Sequence, residues 1–327
     1  MKPFQYQRVT SAAAALQAAS PGSRFLAGGT NLIDLMKNGV EAPDQLIDIN
    51  RLVLAAIEPQ PDGGLRLGAL ARNSDTANHP AVRQRYPLLA QAILSGASPQ
   101  LRNLASNGGN LLQRTRCPYF MDTGFPQCNK RAPGSGCGAI NGFNRTQAIF
   151  GASESCIAVH PSDMCVALAA LDATIRVQGR NGERRIPMAD FHRLPGDTPE
   201  IDTNLKPGEL ILSIDLPPSP YAGHSSYLKI RDRASYEFAL VSVAAALELD
   251  GETIRSARIA LGGVAHKPWR VEAAERVLIG KKATPGLFQA AGREAITGAR
   301  PYRENGFKVE MVRRGVARAL AQAAGVA

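Results

Sequence analysis

Apolar positions recur along this chain in two periods, one strand-like and one helical, and the two alternate through its first half. Thr10-Ser11 stands before an Ala/Leu-rich run, the pattern of a capped first helix. Arg24-Phe25-Leu26-Ala27 reads as a short buried strand and Gly28-Gly29-Thr30-Asn31 as a tight turn. Leu32, Leu35 and Met36 then sit at helical spacing, and Gly39 ends that helix. Gln45-Leu46-Ile47-Asp48-Ile49 is expected to be a strand. Leu65 to Leu70 alternates behind the turn Asp62-Gly63-Gly64, which predicts a hairpin. Leu88 to Leu94 is helical up to Gly96. Farther on, Ser162 or Asp163 opens a helix that runs to Leu171. A strand at Thr174 to Val177, a turn at Asn181-Gly182 and a buried strand from Leu210 to Leu216 follow.

At Pro217-Pro218-Ser219-Pro220 the pattern changes, and a domain boundary is expected there. Beyond it, Ser226 to Ile230, Ala239 to Leu249 and Thr253 to Gly262 read as antiparallel strands, the last two joined at Asp250-Gly251. Helices are predicted near Val271 to Leu278, Leu287 to Ile296 and Phe307 to Ala324. Strands followed by helices imply an α+β domain over 221–327, with helices on one face of an antiparallel sheet. The preceding domain is expected to cover 1–217.

One stretch has neither period. Between Cys117 and Cys156 the chain is rich in Gly, Pro, Asn and Arg, which predicts a loop. A loop of this length inside a compact domain needs something to hold it. All five cysteines, Cys117, Cys128, Cys137, Cys156 and Cys165, fall in or just after it, separated by 10, 8, 18 and 8 residues. The odd number argues against a complete disulfide framework, and the absence of Cys-x-x-Cys argues against zinc ribbons and thioredoxin chemistry. Cys165, beside Val166, Leu168 and Ala169, reads as a buried small hydrophobe. Cys117, Cys128, Cys137 and Cys156 remain as a loop set, suited either to a metal centre or to free thiols.

Composition narrows the class. The chain has 327 residues, enough for two or three domains. No apolar run long enough to span a membrane occurs, and the segment from Met1 to Tyr6 lacks the apolar core of a signal peptide, so no export signal of the chain's own is expected. The formal charge of +10 favours acidic partner surfaces or phosphate-bearing ligands. The basic residues are dispersed, which disfavours a nucleic-acid surface.

Two glycine turns suit a phosphate-bearing ligand, Gly28 to Asn31 and Ser106-Asn107-Gly108-Gly109-Asn110. Neither is a dinucleotide fingerprint or a P-loop, because Ile33 occupies the third glycine position and no Gly-Lys-Ser/Thr follows. Each alone is as readily a structural turn. His160 precedes Pro161 at a helix start, where capping and cofactor contact are both open. His79, His192, His224 and His266 are scattered, and none has a partner at metal-ligand spacing in the sequence. No Gly-x-Ser-x-Gly elbow supports hydrolase chemistry. Arg231-Asp232-Arg233 and Trp269 are expected to be structural or interface residues.

In their order, Phe25 to Leu32, Ser106 to Asn110, His160-Pro161-Ser162-Asp163 and Leu210 to Ile214 resemble the FAD-binding medium subunits of the molybdenum hydroxylase family. That family includes xanthine dehydrogenases, aldehyde oxidoreductases and carbon monoxide dehydrogenases. The resemblance implies a two-subdomain FAD-binding domain of the PCMH/vanillyl-alcohol-oxidase type before the α+β domain. By it, Leu26, Ala27, Gly28, Gly29, Thr30, Asn31, Leu32 and Ile33 form the pyrophosphate turn. Ser106, Gly108, Gly109 and Asn110 match the second FAD turn, Asp163 an acidic FAD contact, Ile211 or Leu212 a contact near the flavin ring, and Lys229 the lysine of Tyr-Leu-Lys. Asn107 departs from the family, which usually has a β-branched residue there.

The cysteine-bearing insertion, about 111–158, is similar to that of the aldehyde oxidoreductase branch and, less closely, of the 4-hydroxybenzoyl-CoA reductase branch. The resemblance implies a [4Fe–4S] cluster on Cys117, Cys128, Cys137 and Cys156; Cys165 would replace Cys156 only if the start of its helix unwound. It further implies a small partner subunit with two [2Fe–2S] clusters and a large partner with the molybdenum cofactor. On this reading the chain is an electron-transfer subunit without a catalytic side chain of its own. It is exported to the periplasm as a folded complex with a signal-bearing partner, or stays in the cytoplasm. A zinc-thiolate scaffold and a stand-alone flavin oxidase are the alternatives.

Overall fold

The computed structural model describes residues 1–326. Three sheets organise it. The first is parallel, with Gln45–Asp48 between Gln5–Arg8 and Ser23–Leu26. The second is antiparallel, in the order Ile57–Pro59, Leu65–Gly68, Leu210–Leu216, Thr174–Gly179, Gly182–Pro187. The third, also antiparallel, runs Trp269–Arg270, Thr253–Gly262, Val241–Asp250, Ser225–Ile230.

The period-2 and helical patterns are realised closely. Ser11 caps Ala12–Ala18, accepting from the Ala14 N–H at 3.1 Å, and Ser162 caps Asp163–Ala170. The helices Glu272–Leu278, Pro285–Glu294 and Phe307–Ala324 cover one face of the third sheet, as the sequence predicts. Alternation along Val241–Asp250 divides its side chains. Val243, Ala245 and Leu247 join the helices in one core, while Ala244 and Ala246 face a second core with Met164, Val166 and Leu168. Small residues on that second face bring the sheet close to Asp163–Ala170: a Cβ on Gly262 would stand 2.6 Å from Val166 Cγ2. This packing seats the C-terminal sheet directly on the helix that carries Asp163.

The pattern does not announce some elements. Gln5–Arg8 is exposed throughout, so it has no apolar alternation to read. Asn73–Asn78 and Pro80–Arg85 are short helices broken at His79-Pro80. The unpatterned insertion is mostly irregular, with single-turn helices at Pro118–Met121 and Gly138–Asn141.

The insertion is fastened to the C-terminal helices by buried polar groups. Asn305 Nδ2 donates to the carbonyls of Gln147 and Ala148, both at 3.2 Å. Lys308, fully buried, donates to the carbonyls of Thr146, Gln147 and Gly263 at 2.8, 2.9 and 2.8 Å. Among the described residues no carboxylate forms an ion pair with it.

Two outcomes follow for stability. Gly292 lets Pro285–Glu294 approach Phe307–Ala324, since a Cβ there would lie 2.3 Å from the Arg313 carbonyl oxygen. Gly292→Val is expected to cost about 2–3 kcal/mol in urea unfolding; an unchanged midpoint would contradict the packing. Burial holds the Lys308 ammonium down to about 7, against about 10.4 in an unfolded chain. Between those values the unfolded chain carries a proton that the folded chain lacks, so this group makes stability rise with pH. The wild-type urea midpoint should therefore climb relative to Lys308→Met from about pH 7.5 to about pH 9.5; parallel profiles would contradict it.

Candidate functional site

The first glycine turn packs against the segment that leads into the second, distant in sequence. A Cβ on Gly28 would stand 2.0 Å from the Leu104 carbonyl oxygen and 3.2 Å from Ala105 Cα, so only glycine lets the first turn lie on the segment leading into the second. Gly29 has φ +72, the left-handed region. Within the first turn, the main-chain N–H groups of Gly29, Thr30 and Asn31 have no acceptor among the described residues, and Asn31 Nδ2 is buried without a partner. These donors suit the oxygens of a bound phosphate ester. Leu26, Ala27, Leu32 and Ile33 frame the turn; Ala27 packs with Leu212 in one core, while Ile211 faces another.

The second turn is built differently. Its Asn107 and Gly108 N–H groups donate to the carbonyls of Ala71 and Ala69 at 3.0 and 2.8 Å, and that of Gly109 to Ser106 Oγ at 3.2 Å. Its main-chain donors thus fix its own shape. Asn107 is fully buried; its amide donates to the Gly68 carbonyl and Thr76 Oγ1 and accepts from Asn73. Asn107 is thus a satisfied buried polar residue. Asn110 accepts from the Ser162 hydroxyl, which ties this turn to the cap of Asp163–Ala170.

Asp163 sits at the head of that helix, where the domains meet. Lys229 Nζ donates to its Oδ2 at 2.7 Å and to the Ser95 carbonyl at 3.2 Å, and Tyr227 Oη donates to its Oδ1 at 2.7 Å. The ion pair is buried, with side-chain exposures of 8% and 4%. Burial and the adjacent Asp163 charge push the Tyr227 hydroxyl well above its ordinary value, so it stays a donor. Two residues that the sequence reading placed in the site, Asp163 and Lys229, therefore face one another across the domain boundary.

Asp163 also lines a cleft of about 160 Å³ with Arg116, Gln147, His160, Phe238 and Gly263. Arg116 Nε, Gln147 Nε2 and His160 Nε2 are buried there without partners. Arg116 stacks over the Phe238 ring at 5.4 Å and pairs with Asp34 at 2.8 Å. The unpaired donors of Arg116 and Gln147 in a concave site point to a ligand rich in acceptors.

Cys117, Cys128, Cys137 and Cys156 line one cavity together with Lys130 and Phe120. None forms a disulfide, and Cys165 is not among the lining residues. Cys117 lines both this cavity and the cleft. The surrounding loop is held by main-chain contacts. Arg131 donates to the carbonyls of Tyr119 and Phe120 at 2.7 and 3.0 Å, and Cys128 and Cys137 form an antiparallel bridge. Burial pushes the Cys117 thiol up to about 11. The hydrogen bond between Cys137 and Cys156 holds Cys137 down to about 6 and pushes Cys156 up. Lys130 favours the Cys156 thiolate and is itself paired with Asp202, which also accepts from Arg114 at 2.8 Å.

Sequence spacing missed Lys130, Asp202 and Arg116, because each acts through partners remote in the chain. It also left the histidines apart, whereas His160 and His192 lie with ring centroids 4.2 Å apart. Cys165, fully buried in its helix, has its thiol pushed up to about 12 by burial.

Comparison with known proteins fits this arrangement. The model of the FAD-binding domain in molybdopterin dehydrogenase matches residues 2–219, and that of the CO dehydrogenase flavoprotein C-terminal domain matches residues 226–324. The chain is 55% identical to PaoB, the FAD-binding subunit of Escherichia coli aldehyde oxidoreductase, over 99% of each. It is 31% identical to the glyceraldehyde dehydrogenase medium chain of Sulfolobus acidocaldarius, over 88% of this chain and 84% of that one. Carbon monoxide dehydrogenase of Hydrogenophaga pseudoflava superposes with a TM-score of 0.77 at 27% identity, covering 100% of this chain and 99% of that one. The paired glycine turns, the Asp163–Lys229 junction and these matches along the whole chain have one conclusion: this protein belongs to the molybdenum hydroxylase family, as its FAD-binding, oxidoreductase subunit.

Proposed function

We propose that this chain is the electron-transfer flavoprotein subunit of a heterotrimeric, molybdenum-dependent aldehyde oxidoreductase, and that its insertion carries a [4Fe–4S] cluster. The observation behind the second half is the convergence of Cys117, Cys128, Cys137 and Cys156 on one cavity that shares Cys117 with the cleft. Four thiols without disulfides are the donor set of such a cluster. Its negative charge would be met by Lys130, a buried cation on the cavity wall. The aldehyde substrate class rests on the likeness to the E. coli subunit.

FAD, when bound, supplies the exchange between one-electron clusters and a two-electron acceptor. The chain's own residues position and shield it. Gly29, Thr30 and Asn31 present free main-chain donors, Leu104 and Ala105 buttress that turn, and Asp163 and Lys229 fix the junction without exposing either charge. Ile211 and Leu212, assigned near the flavin ring by the family likeness, have their own side chains buried in two apolar cores. No side chain is assigned as acid or base. Partner subunits with two [2Fe–2S] clusters and with the molybdenum cofactor complete the complex, by the same family likeness. We place the complex in the periplasm, carried there folded by a signal-bearing partner.

Three outcomes test this. Aldehyde added anaerobically to the isolated complex is expected to bleach the flavin absorbance, while this chain alone is expected not to respond. Bleaching of the lone chain would instead make it a self-sufficient oxidase. Cys117→Ser should lose iron and acid-labile sulfide by elemental analysis and keep its flavin; one equivalent of zinc in place of iron in the wild type would identify a thiolate scaffold. Gly28→Val, which forces the first turn off Leu104, should weaken FAD retention at least tenfold, about 1.4 kcal/mol or more, while the iron content stays.

A further inference from the structure

We infer that His160, His192 and Cys165 form a second metal site, separate from the four-cysteine cavity, that takes a divalent ion of the zinc class. The three residues come from different segments. His160 lies two residues before the cap of Asp163–Ala170, Cys165 in the first turn of that helix, and His192 just beyond the turn Met188–Phe191. One ligand atom from each lies within 4.8 Å of the others. A zinc ion held by bonds of about 2.0–2.3 Å needs donors nearer 3.5 Å apart, a contraction within reach of small ring rotations.

The buried polar atoms supply the second observation. His192 is 2% exposed, and its Nε2 lies 2.8 Å from the Leu111 carbonyl. The ring nitrogen that donates to a carbonyl carries the proton, so Nδ1 presents a lone pair, and that atom has no partner. His160 Nε2 is buried and makes no hydrogen bond of good geometry, although the Leu111 carbonyl also lies near this ring. The contact from the Ser162 N–H to His160 Nδ1, at 3.4 Å, is too long to fix the ring's tautomer. Beside them His266, 8% exposed, has neither ring nitrogen hydrogen-bonded. The main-chain bond from the His160 N–H to the Ala265 carbonyl, 2.9 Å, places the two segments side by side. Unsatisfied polar atoms cost about 1–3 kcal/mol each when buried, and four imidazole nitrogens in one place call for an occupant. Two imidazoles and a thiolate select borderline ions over calcium or magnesium.

On binding, the ion displaces the Cys165 thiol proton to solvent, with no change in oxidation state. It joins the head of Asp163–Ala170 to the segment after Phe191, and so clasps the helix that presents Asp163.

The test uses the intact complex, treated with a chelator and then given cobalt(II) chloride. The wild type is expected to take up one cobalt per copy of this chain, with a thiolate-to-cobalt charge-transfer band. Cys165→Ala should abolish that band and weaken uptake at least tenfold. His192→Asn, which can still donate to the Leu111 carbonyl, should do the same. Cys117→Ser should leave both unchanged. Absence of cobalt uptake by folded wild-type protein would overturn the inference, as would uptake that survives Cys165→Ala and His192→Asn or that disappears with Cys117→Ser. Two imidazoles that bond only to one another would give the first of these results. Flavin content read on the same samples separates this outcome from any failure of the flavoprotein reading.

Discussion

The constraint on which most of the structure depends is the convergence of four cysteines in a stretch that cannot fold by apolar periodicity. Residues 117–156 have no amphipathic face to bury. What order they have comes from main-chain contacts, from Arg131 reaching three carbonyls, and from Cys117, Cys128, Cys137 and Cys156 meeting around one cavity. The same stretch then supplies a wall of the cleft through Arg116, Cys117, Thr146 and Gln147. Lys308 and Asn305 hold the Thr146 and Gln147 part of that wall from the other side.

A second dependence runs through the domain junction. The C-terminal sheet packs on Asp163–Ala170 through small residues, and this nearness puts Tyr227 and Lys229 on the Asp163 carboxylate. A buried pair of this kind adds little net stability, because desolvation offsets most of the attraction; breaking it costs about 3–5 kcal/mol. Its consequence is orientation. Ser162, from the same turn, reaches Asn110, so the junction also sets the second glycine turn, and that turn's approach segment supports Gly28. Shape is passed from one domain to the other by contacts that tolerate little movement.

Much of this was legible in the sequence, where local chemistry decides. Ser11 and Ser162 cap the helices they were expected to cap, the hairpin at Asp62-Gly63-Gly64 forms, and the alternation of Val241–Asp250 marks two buried faces. The four cysteines expected to act together line one cavity, and Cys165 stands apart from it. Illegible were features created only by tertiary placement. Gln5–Arg8 is a strand because Gln45–Asp48 pairs with it, not because its own residues alternate. His192 stands thirty-two positions from His160, and only folding brings their rings together. Nothing in the local sequence around Lys308 shows the three carbonyls, remote in the chain, that enclose it.

The central claim, a proposal, is that the four cysteine sulfurs surround inorganic iron and thereby hold the insertion beside the cleft that Asp163 lines. Anomalous scattering measured on either side of the iron absorption edge, from crystals of the intact complex, tests it most directly. Four iron peaks between Cys117, Cys128, Cys137 and Cys156 are the predicted result. A cavity with no iron signal, or sulfurs joined in pairs, would contradict the account.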